Sequence, residues 1–513
     1  MILIKQKVAI SLLAAVMFLF FSTQLIAANI SLEILNIKPA GTGTPAIGSS
    51  NRIFKAYPNI EYNIRAAVIG GIFPYTYSLS NNKPSWLNID ANTGVISGIA
   101  PASGTFNDIE LTVRDQEGTI TKSTWSINVT TVGFKFVNSQ ATINGTGTIT
   151  SPYQSILSML DNGSSTDIIY FRSGVYVLPL YHSDSTEWES QGCSLRYNGG
   201  RPNKWIAYPG EAVTIDCNRH YLEAYGTGSD DIYLDGLTFT NCLSGVLFSY
   251  SGADYFTARR CDFGNLTQTK AGNNNYGYLY FTGLSDPIGY FKVMQDNKFH
   301  DYNSTAAIGS LYRCSKTLIE GNQFYNQTAT GTSGIVAAIT IKTDLTYTTI
   351  RQNIFRNLAS NCSAFAHSVN AGLQRSNFTD ICFNLFYHPS GYIHPQLNSH
   401  VNNQNVYIYR NTYVGRINID YLDTSAFKPC GPYTFKNNVI QNAVRGIEYD
   451  YGNGSLRAVE IDNIKVDTGA VDSFGNLTSQ YQQYVGSRGW QIIYSSDTIA
   501  PAVPSNVSVE IIP

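Results

Sequence analysis

The chain has 513 residues and a formal net charge of −2, and only 14% of its residues are Asp, Glu, Lys or Arg. A near-neutral chain so poor in charge lacks the basic footprint that nucleic-acid binding requires, yet it is long enough to bury a large core in two or three units. With 35 Tyr and 25 Phe and few charges, its surface must be built mainly of Ser, Thr, Asn, Gln and Tyr.

At the start, Lys5 and Lys7 precede an apolar run from Val8 to Phe21, followed by Ser22-Thr23-Gln24 and the small pair Ala27-Ala28. This is the pattern of a cleaved secretory signal over residues 1–28. The run is short for a bilayer span, and no later segment is long and apolar enough to cross one. The expectation is a secreted or cell-surface protein, not integral to the membrane after processing. Eight Cys fit that compartment. None forms a CxxC pair; Cys242 with Cys261 and Cys362 with Cys382 are spaced to bridge or to stack as buried thiols.

Residues 29–131 contain short alternating stretches, Ile34 to Ile37, Ala66 to Ile69, Tyr75 to Leu79, Gly94 to Ser97, Ile109 to Arg114 and Thr124 to Val129, separated by Gly, Pro, Asn and Asp turns. They predict a small β-sandwich. The segments Gly70 to Leu79, Pro84-Ser85-Trp86-Leu87-Asn88-Ile89-Asp90, Thr93 to Gly98 and Val113 to Gly118 resemble the Ig or cadherin-like modules of bacterial surface and secreted proteins. The resemblance implies an Ig-like fold, with Trp86 and Leu87 in its core, used as a spacer or adhesive appendage. Asp115 and Glu117 are the weak counterpart of the acidic calcium motifs of cadherins.

A second unit spans 134–470. Ile156, Leu157, Met159 and Leu160 give one amphipathic turn pattern, predicting a capping helix near 152–161 that shields the open end of a solenoid. Beyond about residue 230 a ladder returns: a short β-branched or aromatic run, an Asn, one variable residue and an apolar anchor. From Phe299 the anchors Phe324, Phe355, Phe386, Tyr413 and Ile440 follow at intervals of 25, 31, 31, 27 and 27 residues. Repeats of this length cannot bury their own apolar face and must stack on one another. No helical run separates them, which leaves a parallel β-helix or a propeller; the stretches lack a propeller's four-strand blade pattern and are spaced more closely than its blades, so an all-β parallel β-helix is expected. Asn beside the anchor can take left-handed angles at a corner and can hydrogen-bond the Asn one coil away.

The runs Asp167 to Tyr176 and Trp205 to Asp216, with the Asn-anchored rungs, resemble secreted right-handed parallel β-helix proteins, among them many polysaccharide lyases. The fold expected is thus a right-handed parallel β-helix preceded by an Ig-like sandwich. Residues 471–513 form a C-terminal segment, and Asp497 to Val509 resembles the linker into a further module.

Lys342, Asp344, His367, Arg375, His388, His394, His400 and Asp420 are the candidates for chemistry. Lys342, His367 and His394 are separated by 25 and 27 residues, so they could project from neighbouring coils into one groove. Elimination from a uronate needs a cation to neutralise its carboxylate, a base and an acid. Lys342 or Arg375 would take the first role, His367 or His394 the second, and Tyr392 or Tyr421 the third. Tyr276, Tyr278, Tyr392, Tyr421 and Asp420 are the candidate substrate contacts. Lyases of the resembled family often use calcium held by carboxylates, but their acidic ligand motif has no residue-by-residue match here. The clustered aspartates of pectin-degrading hydrolases are missing as a set, and His388, His394 and His400 do not have the spacing of a zinc site on one helix face. The partner expected is a polysaccharide or cell-surface glycan. A non-catalytic adhesin or self-associating surface protein, using outward Tyr such as Tyr276, Tyr278, Tyr280 and Tyr290, is the alternative.

Overall fold

The computed structural model describes residues 28–42, 47–179, 195–197, 200–220, 222–224, 231–243, 245–250, 255–267, 277–282, 291–304, 306–311, 314–328, 337–341, 345–359, 363–367, 377–392, 394–396, 404–419, 433–441, 447–449, 458–472 and 477–481. Of the expected leader over 1–28, residues 1–27 lie outside them. Among the described residues no helix is long and apolar enough to cross a membrane.

The second unit is a parallel β-helix. Each full coil contributes one strand to each of three sheets, whose described members number 12, 13 and 8. The first sheet runs from Phe134–Val137 to Ala458–Ile461, the second from Gly174–Val177 to Ile464–Val466, and the third from Leu195–Tyr197 to His394–Gln396. All pairings within these sheets are parallel. Ile156–Asn162 is a short helix N-capped by Ser155, with Ile156, Met159 and Leu160 buried against the first coils.

Two columns explain why the repeat locks in register. The anchors Phe239, Phe263, Phe299, Phe324, Phe355, Phe386 and Tyr413 stack with ring centroids 4.6–5.2 Å apart and planes within 7°. Beside them Asn297, Asn322, Asn353, Asn384, Asn411, Asn438 and Asn463 form a polar ladder. From Asn322 onward, each Oδ1 accepts from the backbone N–H and the side-chain amide of the Asn before it. Buried amides are tolerated because every donor and acceptor finds a partner.

The corner itself departs from expectation by one residue. Left-handed angles fall not on the ladder Asn but on the residue before it: Asp296 (φ 60°), Gly321 (71°), Gln352 (56°), Phe383 (55°), Arg410 (55°), Asn437 (56°) and Asp462 (52°). The Asn must keep its amide aligned along the stack, so its neighbour takes the bend. Cys261 occupies the ladder position one coil earlier, its N–H donating to Asn297 Oδ1 at 2.9 Å. Cysteine pairing also differs. Cys242 is disulfide-bonded to Cys217, Cα atoms 5.0 Å apart, while Cys261 and Cys382 are buried thiols. One coil of separation suits either partner, but Cys261 faces the ladder.

The first unit is an Ig-like sandwich. Lys55–Ala56, Ile120–Val129, Gly104–Arg114 and Thr76–Leu79 form one sheet, and Glu61–Arg65, Val95–Ile99 and Asn88–Ile89 the other. Leu87 is fully buried, and Trp86 packs edge-on against Tyr62 and Phe106. Asp115 accepts backbone N–H groups from Ile72, Glu117 and Thr119 at 2.7–3.0 Å, so it pins a turn.

This module is no extended spacer. It lies along the outer face of the first sheet, and its core is continuous with Val293, Leu318, Phe383 and Tyr409 of the β-helix. There Asp235, Arg259, Gln295, Glu320, Arg351, Cys382 and Tyr409 stand in one register row on successive coils. Arg65 of the sandwich pairs with Asp296 at 2.6 Å and lies 3.5 Å from Glu320. Arg351 donates to Glu320 at 2.7 Å and to Tyr75 Oη at 2.8 Å, under the rings of Phe73 and Tyr75.

Candidate functional site on the second sheet

Outward residues of a β-helix align from coil to coil at the inter-strand spacing of about 4.8 Å. The sandwich packs on the first sheet. Toward the C-terminus the second sheet is covered as well, by Ala470, Val471 and Leu477, which pack on Val414 and Val439. Gln441 Oε1 fixes that cover by accepting the N–H groups of Ala470 and Val471. Away from these covers, the middle coils of the second sheet present a polar ridge.

Its register row is Gly264, His300, Tyr325 and Arg356, the residues directly after the anchors Phe263, Phe299, Phe324 and Phe355. Gly264 is required by packing: a Cβ there would meet His300 Cε1 at 2.8 Å. The His300 imidazole stacks on Tyr325, centroids 4.9 Å apart and planes within 5°. Its Nε2 is 2.6 Å from Asp262 Oδ1 and its Nδ1 2.7 Å from Asp301 Oδ2. Asn326 donates to the other Asp301 oxygen at 3.0 Å, and Lys298 Nζ lies 3.9 Å from Asp262.

Electrostatics follow from that clamp. Burial pulls the His300 pKa down, but hydrogen bonds to Asp262 and Asp301 outweigh it and raise the value above the ordinary one. Burial opposes ionisation of Asp301 too, yet the His300 and Asn326 hydrogen bonds hold its carboxyl below the usual range. Tyr325 is pushed up to about 12, by burial first and then by the two carboxylates. An imidazole with both nitrogens engaged by carboxylates has no free lone pair to offer a substrate proton, and a phenol that stays protonated is a donor. The ridge therefore lines up a carboxylate-clamped imidazole, a phenol O–H and a guanidinium on successive coils.

The sequence candidates are other residues. Lys342, Asp344, Arg375, His400, Tyr276, Tyr290, Asp420 and Tyr421 lie outside the described residues. His367 and His394 end and begin strands of the third sheet, Ser363–His367 and His394–Gln396. Ile341 is the register partner of His367, whereas His394 is opposite Ser363. The two backbones are thus offset along the strands by roughly 10 Å. Tyr392 closes the strand Leu385–Tyr392, which also contains His388, and its backbone pairs with Arg416. Tyr278, expected on an outward face, is fully buried: it donates to His300 O at 2.7 Å and accepts from Leu266 N–H, so its ring can pack on Phe263 and Phe299. Tyr280, two residues on, is the half-exposed one.

None of the sequence candidates is a ridge residue, although the sequence carries a signal for the ridge. Once the aromatic anchors are aligned, the residue after each one reads Gly, His, Tyr, Arg. Among the described residues no group of three His, Cys, Asp or Glu side chains could hold a metal ion.

Residues 43–130 match the family model described as "Putative Ig domain". No curated protein matches the sequence. Among solved structures the chain is similar to a rhamnogalacturonan lyase, with 11% identity over 67% of this chain and 88% of that one and a TM-score of 0.32. It is also similar to pectate lyase Pel9A, with 12% identity over 68% and 82% of the two chains and a TM-score of 0.30. Topology defines the class: a parallel β-helix carrying an Ig-like sandwich on its flank.

Proposed function

We propose that this is an extracellular polysaccharide-engaging protein whose second sheet binds an acidic glycan. The observation that carries this reading is the His300, Tyr325 and Arg356 column on consecutive coils. The phenol O–H and outward ring edge of Tyr325 suit sugar hydroxyls, and the Arg356 guanidinium one coil on suits a uronate carboxylate. The row runs along the long axis of the solenoid, the direction in which an extended polymer can make repeated contacts. Secretion, expected from residues 1–28, would deliver the chain to such polymers.

Cleavage by β-elimination remains part of the proposal. Lys342 or Arg375 would neutralise the uronate, one of His367 and His394 would take the ring proton, and Tyr392 or Tyr421 would protonate the leaving oxygen. The strand offset makes the two histidines alternatives rather than partners. The double clamp on His300 favours binding without chemistry at the ridge itself, which supports the adhesin reading for that surface.

The test is a panel of uronic-acid polymers and neutral glucans, with binding followed by affinity electrophoresis and cleavage by the absorbance of unsaturated products. Retardation by uronate polymers and not by the glucans is expected. No retardation by any acidic polymer contradicts the proposal, and retardation without product assigns the protein to the binding class.

A further inference from the structure

We propose that removal of the leader creates a structural ion pair, in which the new α-ammonium group of Asn29 becomes the counter-ion of the buried Asp380 carboxylate. This pairing depends on the expected cleavage after Ala28 and is independent of the polysaccharide reading.

Asp380 is 2% exposed, in the first-sheet strand Asn377–Cys382, beneath the sandwich. No Lys or Arg among the described residues lies within ion-pair distance of it. Its one side-chain hydrogen bond among the described residues is from Asn29 Nδ2, at 3.0 Å. The same amide reaches Asn405 O at 2.8 Å and Thr379 O at 3.4 Å, so Asn29 is held against two coils at once. The next residue is anchored too: Ile30 is buried, and its carbonyl accepts from Gly71 N–H at 2.8 Å. Covalent geometry puts the Asn29 backbone nitrogen roughly 3–5 Å from its own Nδ2, on the residue whose side chain is already anchored on the Asp380 carboxylate.

Before processing that nitrogen is an uncharged amide. A leader-cleaving peptidase adds water across the Ala28–Asn29 bond: the hydroxyl goes to the Ala28 carbonyl carbon, the hydrogen to the Asn29 nitrogen, and the amine takes a proton from solvent. A cation then stands where a buried carboxylate had none. Removing a charge from water is unfavourable unless it is paired, so processing should tighten the seam between sandwich and β-helix.

The surroundings give the expected pH behaviour. Burial raises the Asp380 pKa to about 7, with the Asn29 hydrogen bond and Arg351 pulling against it. The other titratable groups facing it are Cys382 on its own strand and Tyr407 and Tyr409 on the next coil; Arg351 is itself engaged by Glu320. An acid whose folded pKa is raised costs stability as pH rises from its unfolded value near 4 to about 7. A chain still extended at Asn29 should show that loss, and the processed chain should not.

The experiment compares melting temperatures from pH 5 to 8 for the secreted chain and for a chain with the α-amine blocked by acetylation, each with Asp380 and with D380N. The free-amine chain should melt about 3–6 °C higher at pH 8, the gap should close toward pH 5, and D380N should abolish it. Equal melting at pH 8, or a gap that persists in D380N, overturns the proposal. Should D380N fail to fold, acylation of the wild-type α-amine decides: slow reaction at pH 8 in the folded chain supports the pair, and reaction as fast as in the unfolded chain overturns it. Mass spectrometry of the secreted N-terminus keeps the two proposals apart, since a chain beginning at another residue defeats this one and leaves the glycan-binding reading intact.

Discussion

Glu320→Ala is expected to lower the stability of the whole chain by about 3–5 kcal/mol. Glu320 is 1% exposed at the seam, accepting from Arg351 at 2.7 Å and from Gln295 Nε2 at 2.7 Å, with Arg65 at 3.5 Å. Truncation leaves the Arg351 guanidinium, 0% exposed, without a carboxylate in a site water cannot reach. Arg65 suffers less because Asp296 holds it at 2.6 Å. Replacing both partners, as in Glu320→Leu with Arg351→Met, should be milder than the single change, because an apolar pair buries no unpaired charge. Burial opposes ionisation of Glu320, but Arg351 and Arg65 hold its pKa below the ordinary value. Its contribution is therefore present above the unfolded carboxyl value and lost as pH falls through the folded one. Urea denaturation at pH 7 and at pH 4 reads both effects; a loss under about 1 kcal/mol at pH 7 would mean that the seam is not a closed, dry interface.

The second large effect is expected at Asn353→Ala in the middle of the ladder. Asn353 Nδ2 donates to Ile319 O at 2.9 Å and to Asn384 Oδ1 at 3.0 Å, and its Oδ1 accepts the N–H and amide of Asn322. Alanine strands donors and acceptors on both neighbouring coils, each costing about 1–3 kcal/mol when buried without a partner. A total loss of at least about 3 kcal/mol is expected. Asn463→Ala, at the half-exposed end of the column, should lose less than about 1.5 kcal/mol because water can replace the amide. Equal losses at the two positions would contradict a cooperative ladder. The comparison needs only denaturant midpoints for two variants.

Much of this architecture was legible because the solenoid repeats its physical demands. Each coil needs one flat ring for the stack and one amide for the ladder, so Phe324, Phe355 and Phe386 with Asn322, Asn353 and Asn384 mark the coils in plain sequence. The Ig-like module was legible from its own turns and aromatic spacing. Its docking was not, because Arg65 meets Asp296 across 231 residues and Arg351 meets Tyr75 across 276. Period-two alternation also places Arg351 on an outward face, and from sequence an outward Arg reads as solvated. Alternation misleads at Tyr278 as well, whose hydroxyl finds backbone partners inside. The ridge was hidden for a different cause: His300, Tyr325 and Arg356 belong to different residue types, and only alignment on the aromatic anchors puts them in one row.

The glycan-binding proposal depends on that row acting as a recognition surface. The most direct measurement is the affinity of the protein for a uronic-acid polymer that retards it, compared with Tyr325→Ala and Arg356→Ala by titration calorimetry. Each substitution is predicted to weaken binding about tenfold while leaving the melting transition within a few degrees of wild type. Unchanged affinity in both variants, with folding intact, would contradict a glycan-binding role for the second sheet.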